Sequence, residues 1–180
     1  MRRLDAAVGS AVFLVAAPGV VAGVIPWLLT DWQSSHPPVV VAVLGGVLVV
    51  AGALVVLHAF ARFVSEGAGT PAPVAPTQRL VVGGLYRYVR NPMYVAVAGT
   101  IIGQALLLGP VSLLGYAAIF YAVVIAFVRG YEEPVLAARY GEEYRAYRRA
   151  VPGWWPRLRP WTPGPGRDTP RSNHLRRWQR

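Results

Sequence analysis

The chain has 180 residues, of which 54% are hydrophobic and only 14% are charged, so it has the length of one domain and the composition of a membrane protein. A soluble domain carries about 25% charged residues. The formal net charge is +10, but the arginines border apolar segments and no nucleic-acid recognition motif is visible, which argues against a nucleic-acid partner and favours anionic membrane lipids. The absence of cysteine excludes a disulfide and a thiolate nucleophile.

The N-terminal part contains two apolar segments that are each long enough to cross a bilayer. Residues 6–29 and 39–61 contain no charged residue, and a spanning helix needs about 20 residues. Pro18 and Pro26 predict a kink in the first segment. Two arginines precede it, as in a signal peptide, but the apolar run is longer than the usual 7–15 residues or so, and we therefore expect an uncleaved helix.

Residues 63–89 are polar and rich in proline and glycine, which predicts a loop at the surface. Gly67 and Gly69 form a Gly-x-Gly pair within it. The pair is too short to indicate a nucleotide-binding loop by itself, because the strand and helix that normally flank such a loop are not predicted here.

A second apolar region extends from Met93 to Val128 without a charge. As one helix it would be about 54 Å long, against a hydrocarbon core of about 30 Å. Gly109-Pro110 near its middle predicts a turn between two short spans, 93–109 and 111–128. Gly99 and Gly103 are four residues apart, a spacing typical of close helix packing.

The C-terminal part predicts a further helix and then a disordered tail. Residues 134–149 form an amphipathic pattern that places one set of side chains on a single face: Leu136, Tyr140, Tyr144 and Tyr147. Packing or interface anchoring is the favoured role for this tyrosine face. Residues 161–180 are rich in proline, glycine and arginine, and we expect them to be disordered. Residues 1–160 would then form a single membrane-embedded domain.

The predicted fold class is therefore all-α: a polytopic membrane protein with about four transmembrane helices and a cytoplasmic amphipathic helix after the C-terminal hairpin. The loop after the first span and the turn of the hairpin contain no arginine, whereas the termini and the central loop do. The positive-inside rule then predicts cytoplasmic termini, in what we expect to be a bacterial inner membrane.

Two polar motifs flank the hairpin, and each has two interpretations. Arg90-Asn91-Pro92 either starts a helix at the membrane surface, or uses Arg90 to clamp a carboxylate or phosphate while the Asn91 amide donates a hydrogen bond. Glu132-Glu133-Pro134 either complements a helix dipole or binds a cationic ligand. Neither motif alone decides between these interpretations.

Metal and triad chemistries are not indicated. The three histidines, His36, His58 and His174, fall in a loop, a span and the tail, and no metal-ligand spacing is present, so we expect no metal. No nucleophile elbow or phosphate-binding loop occurs either.

Together, residues 84–94, 131–134 and 140–152 resemble the superfamily of isoprenylcysteine carboxyl methyltransferases and phospholipid (phosphatidylethanolamine) methyltransferases. The resemblance covers about residues 83–155. Asn91 occupies the position at which the isoprenylcysteine branch typically has histidine. The sequence Asn-Pro-Met-Tyr at residues 91–94 is more similar to the phospholipid branch.

The resemblance implies an integral membrane methyltransferase that uses S-adenosylmethionine at the cytoplasmic face and methylates a lipophilic acceptor, such as a lipid headgroup amine or a carboxylate, from the bilayer. It assigns Glu132 or Glu133 to the ammonium or ribose of the cofactor, and Arg90 with Asn91 to its carboxylate. Further cofactor-binding positions are Tyr94, Tyr144, Arg148 and, from the Gly-x-Gly segment, Gly67 and Gly69. No catalytic residue is assigned. An NAD(P)H-dependent membrane reductase of the sterol-reductase type and a non-catalytic protein of the same fold are the alternatives.

Overall fold

A computed structural model describes residues 15–66 and 80–162, and within these ranges the chain forms helices and turns without a strand. Gly67, Gly69 and most of the predicted tail lie outside the described residues. The helices are α1 (Ile25–Thr30), α2 (Val39–Glu66), α3 (Pro92–Leu108), α4 (Ser112–Phe127) and α5 (Glu133–Ala150). Turns of π-helix precede α1 (Val15–Val24) and α5 (Val128–Glu132), and a short 3-10 helix spans Gly84–Arg87.

Two helical runs are long and apolar enough to cross a membrane: Val39–Arg62 and Ser112–Ala150. The apolar part of the second run ends at Val128, and the charged residues that begin with Arg129 lie beyond it. Shorter apolar helices cover Ala17–Thr30 and Pro92–Leu108. Most of the surface of α2 is not covered by protein, as expected for a helix that faces lipid.

The most extensive packing in the described chain joins α2 to α3, and it depends on residues without a side chain. A Cβ on Gly103 would lie 2.8 Å from the Gly45 carbonyl oxygen and 2.9 Å from the Val49 nitrogen. The predicted close packing is therefore found at Gly103. It is not found at Gly99, where a Cβ would meet nothing within 4 Å.

The apolar hairpin is built from α3 and α4 with the turn at Gly109-Pro110, as predicted. Gly109 has φ of 95°, which only glycine adopts readily, and its amide closes α3 on the Ala105 carbonyl. Ile101 and Leu113 are fully buried and anchor the packing of the two helices.

The first helical segment is held by side chains of the hairpin. Pro18 lies within the π-helical turns and Pro26 lies in the first turn of α1, and the kink expected from these two prolines stays a prediction. The Gln104 amide donates to the Ala22 carbonyl at 2.7 Å, and the Tyr116 hydroxyl donates to the Val21 carbonyl at 2.8 Å.

The end of α2 and the shape of α5 differ from the sequence-based expectation. α2 continues to Glu66, past the expected end at residue 61, because nothing after Arg62 breaks the helix before glycine occurs at position 67. The predicted helix after the hairpin is present as α5 but is kinked, since Gly141 has φ of 55° and ψ of −127° in its interior.

Candidate active site

Arg90 lies at the centre of a polar cluster, and the chain segment that follows α5 fixes its backbone. This segment returns alongside residues 87–91: the Arg90 amide donates to the Pro152 carbonyl at 2.9 Å, and the Asn91 amide donates to the Gly153 carbonyl at 3.2 Å. Farther along, the amide of Trp161 donates to the Arg87 carbonyl at 2.9 Å. The Arg90 side chain is tied to the same segment, because its Nε donates to the Val151 carbonyl at 3.0 Å.

Glu133 joins two arginines from different parts of the chain. Its Oε1 lies 2.7 Å from Arg90 Nη1, and its Oε2 lies 2.9 Å from Arg148 Nη2. The side chains of Arg90 and Glu133 are only 13% and 8% exposed, whereas that of Arg148 is 54% exposed. Arg90 Nη1 also contacts the Tyr144 hydroxyl at 3.2 Å. A buried ion pair of this kind is costly to leave incomplete, because removal of one partner strands the other charge.

Glu132 has a separate partner, although it is the neighbour of Glu133 in the chain. The Tyr94 hydroxyl donates to Glu132 Oε2 at 3.1 Å, which connects the first turn of α3 to the π-helical turn before α5. Burial raises the pKa of the Glu132 carboxyl, and the hydrogen bond from Tyr94 opposes this effect. The two glutamates are therefore in different electrostatic environments.

A cavity of about 490 Å³ opens beside the Arg90–Glu133 pair. Its charged lining consists of Arg90, Arg129, Arg148 and Glu133, so three guanidinium groups face one carboxylate and the cavity is electropositive. Trp154 forms part of the wall, and its ring is held edge-on against Tyr121 at a centroid distance of 5.3 Å. This cavity suits a small molecule that has an anionic group and an aromatic or cationic part.

Asn91 adds an unused hydrogen-bond donor next to this cavity. The residue is 8% exposed, and its side-chain nitrogen has no partner. Gly153, which lines the cavity, keeps the space in front of this donor open: a Cβ there would lie 3.1 Å from Arg90 Nη2 and 3.5 Å from Asn91 Nδ2. A buried amide nitrogen without a protein partner is rare, and this donor is available to a bound molecule or to water.

The structure brings most of the predicted site residues together, but in unequal roles. Arg90, Glu133 and Arg148 line the cavity, whereas Tyr144 touches it only through Arg90. Tyr94 and Glu132 form a hydrogen-bonded pair and do not line the cavity. The positions Gly67 and Gly69 are among the residues that the structure does not describe.

Arg129, Gly153 and Trp154 also line the cavity, although none of them is among the predicted cofactor-binding positions. The resemblance extends to residue 155, so it includes the Pro152-Gly153-Trp154 segment and could have indicated these residues. No local pattern indicated that it would return to pair with Arg90.

A model of the phospholipid methyltransferase family matches residues 40–143, which is more than half of the chain. The chain therefore belongs to the phospholipid methyltransferase family, in agreement with the resemblance found in the sequence. Membership implies a membrane-embedded methyltransferase that acts on a lipid. The comparisons with curated proteins and with solved structures found no match.

Proposed function

We propose that the protein transfers a methyl group from S-adenosylmethionine to a lipophilic acceptor, a lipid headgroup amine or a carboxylate, at the cytoplasmic face of the membrane. The observation that carries this proposal is the contact of Glu133 with Arg90 and Arg148. It joins the two motifs on either side of the hairpin into one electropositive cavity, in a chain of this family.

The donor set of the cavity fits the carboxylate end of the cofactor. Arg90 and Arg148 present guanidinium groups, and the Asn91 amide supplies the donor that lacks a partner. Glu133 has one oxygen on each arginine, so its role is to orient these two groups. This modifies the simpler expectation that Glu133 itself binds the cofactor's ammonium group.

The remaining lining fits the rest of the molecule. Trp154 offers an aromatic surface for an adenine ring or a sulfonium cation. Bound S-adenosylmethionine supplies an electrophilic methyl group, so the chain itself needs no nucleophile. The protein's contribution is then to position the acceptor and to exclude water, which supplies about 7–11 kcal/mol in favourable intramolecular models.

We further propose a topology with four spans, in which both termini and the central loop are cytoplasmic and α5 lies along the membrane surface. Arginine is absent from residues 31–38 and 109–111, which connect the spans on the opposite side. This arrangement puts the cavity on the side where a soluble cofactor is available. A bacterial inner membrane is the setting we propose.

Binding measurements on the purified full chain in detergent test the proposed activity. We expect S-adenosylmethionine to bind and NADPH not to bind, and radioactive methyl groups to appear in extracted lipid. Binding of NADPH in place of S-adenosylmethionine would favour a membrane reductase, and binding of neither would favour a non-catalytic protein.

A pair of arginine variants tests the site. Arg148→Ala removes a cavity guanidinium but leaves the Arg90–Glu133 pair intact, whereas Arg145→Ala alters a similarly exposed arginine of α5 that contacts Glu142 instead. Loss of a charge-assisted hydrogen bond costs about 1.5–3 kcal/mol, so S-adenosylmethionine should bind about 10- to 100-fold more weakly to Arg148→Ala. Equal affinities of the two variants would remove the cavity from the proposal.

A further inference from the structure

Residues 152–161, which follow α5 and which we call the return segment, contain three tryptophans in different environments. Trp154 forms part of the wall of the cavity beside the Arg90–Glu133 pair, and the ring of Trp161 lies against that of Tyr147 at a centroid distance of 5.4 Å. Trp155, in contrast, is 78% exposed, and Leu158, three residues farther on, is 99% exposed. Two large apolar residues of one short segment are therefore left largely without protein around them.

The backbone of the return segment is held in place, so this exposure does not come from a loose chain end. The Arg157 amide donates to the Tyr88 carbonyl at 3.0 Å, and Arg157 Nη1 donates to the Ala150 carbonyl at 2.9 Å. At the far end, Arg87 and Trp161 exchange two hydrogen bonds, from the Trp161 amide at 2.9 Å and from Arg87 Nε at 2.7 Å. Grouped apolar residues that a fixed loop presents to the outside are typical of an interaction surface.

Two contacts show that the return segment reaches the depth of the membrane-spanning helices. The Trp154 ring lies against Tyr121 of α4, seven residues before the apolar run ends at Val128. At about 1.5 Å per residue, this places the ring about 10 Å inside the end of that run. Pro156 lines an apolar cavity of about 470 Å³ between α2 and α3, together with Val95 of the first turn of α3. The two exposed apolar residues of the segment therefore flank a residue that lies at membrane depth.

The charges of the return segment fit the surface of a membrane that contains anionic lipid. Residues 151–162 include Arg157 and Arg159 but no acidic residue, and Arg159 is exposed. Tryptophan and leucine next to arginine are typical of a segment that lies in the interfacial layer of a bilayer. Anionic headgroups attract arginine at such a surface.

We propose that the return segment inserts Trp155 and Leu158 into the interfacial layer of the bilayer, with Arg159 among anionic lipid headgroups. The partner is the lipid surface beside the start of α3. The inference goes beyond the proposed function and does not depend on methyl transfer, since it concerns contacts between protein and lipid. It gives the segment two roles: its backbone holds the motif at Arg90, and its exposed side chains fix this wall of the candidate site to the membrane surface.

Spin labelling tests the insertion, because the chain contains no cysteine and an introduced thiol is the sole target. The full chain with a nitroxide on Leu158→Cys is placed in nanodiscs of phosphatidylcholine with phosphatidylglycerol. Accessibility to oxygen, which concentrates in the bilayer, is compared with accessibility to a neutral water-soluble nickel complex. We expect the oxygen-to-nickel ratio to be several-fold higher for Leu158→Cys than for Glu143→Cys, an exposed position on α5. Since Leu158 has almost no protein contact, its replacement should leave the fold intact.

Two outcomes would overturn the proposal. Equal ratios for Leu158→Cys and Glu143→Cys would mean that the return segment lies in water. Low accessibility to both reagents at Leu158→Cys would mean that protein, such as a second copy of the chain, covers the segment. Trp155→Cys repeats the measurement at the other exposed apolar residue and should give the same high ratio.

A change of lipid tests the assignment of Arg159. In nanodiscs of phosphatidylcholine alone, the ratio at Leu158→Cys should fall below its value with phosphatidylglycerol, because the attraction between arginine and anionic headgroups is lost. Arg159→Gln should remove this difference, whereas Arg145→Gln, which alters an exposed arginine that contacts Glu142, should keep it. Equal ratios in the two lipids would overturn the assignment of anionic headgroups. All of these measurements are made without cofactor, so their failure is distinct from failure of the proposed function.

Discussion

Glu132 and Glu133 are identical neighbours in the chain, but they make different contacts. Glu133 is shared by two arginines, whereas Glu132 accepts one hydrogen bond from Tyr94. The sequence contains the tandem carboxylates and the arginine motif, and it predicts that both contribute to one binding site. Which glutamate contacts Arg90 could not be predicted, because it depends on the π-helical turns between Val128 and Glu132 that precede α5.

Conversion of each glutamate to glutamine compares the contribution of the Glu133 ion pairs to stability with that of the Glu132 hydrogen bond. Glu133→Gln leaves the Arg90 charge buried without a compensating anion, and we expect a loss of about 3–5 kcal/mol of stability. Glu132→Gln keeps an oxygen that accepts the Tyr94 hydrogen bond and should cost about 1 kcal/mol or less. Thermal unfolding in detergent, followed by tryptophan fluorescence, measures both. Equal melting temperatures for the two variants would contradict the assigned ion pair.

Gly153 is a second position at which a small substitution tests the candidate site. An alanine Cβ there would press on Arg90 Nη2 and approach Asn91 Nδ2, so Gly153→Ala should weaken cofactor binding about tenfold or more while the chain stays folded. Gly130→Ala is the control, since its Cβ meets nothing within 4 Å. Isothermal titration with S-adenosylmethionine gives the comparison, and an unchanged Kd for Gly153→Ala would show that the ligand binds elsewhere.

At the scale of the helices, the positions of glycine and proline predicted some of the helix ends and kinks but not all of them. Gly109-Pro110 correctly predicted the hairpin turn. Glycine followed by proline is typical of a helix end, and the whole apolar run is too long for a single span. Gly141 gave no comparable signal. A lone glycine is tolerated in a helix, so it does not by itself predict a kink. The kink precedes Tyr144 and Tyr147, which pack against Leu80 and Val82.

The α2–α3 contact offers a test of glycine packing. Gly103→Ala would put a methyl group against backbone atoms of α2 that cannot turn aside, and we expect a loss of about 1–3 kcal/mol. Gly46→Ala adds the same methyl group to open space on α2. Melting temperatures of the two variants in the same detergent decide the matter; a Gly103→Ala protein as stable as Gly46→Ala would mean that α2 and α3 pack less closely than described.

For the whole molecule, composition and arginine distribution were sufficient to predict a helical membrane protein, and motif order was sufficient to predict its family. The apolar cavity between α2 and α3 could not be predicted. It is a space between two helices, and the close packing of these helices at Gly45 and Gly103 is a tertiary geometry that no local pattern encodes. Likewise, the length of the apolar runs does not distinguish a buried face from one that lines a groove.

The proposed topology can be tested directly because the chain contains no cysteine, so an introduced thiol is the sole target for a maleimide. Gln33 lies in the connection between α1 and α2, and Glu143 lies in α5; both are exposed. In intact bacterial cells, an impermeant maleimide should label Gln33→Cys and spare Glu143→Cys, and cell lysis should reverse the protection of the latter. Labelling of both residues in intact cells would contradict cytoplasmic placement of α5.

The pairing of residues 87–91 with the segment from Pro152 to Trp161 also sets an order of events during biosynthesis. That segment leaves the ribosome only after every apolar helix described here has been made. A chain truncated after Ala150 would contain all of those helices, yet Arg90 would lack the carbonyl groups that hold it, and one wall of the pocket would be missing. Synthesis of the apolar helices and completion of the pocket are thus separate stages. The pocket is complete only when the segment from Pro152 to Trp161, which has no regular secondary structure, has been made.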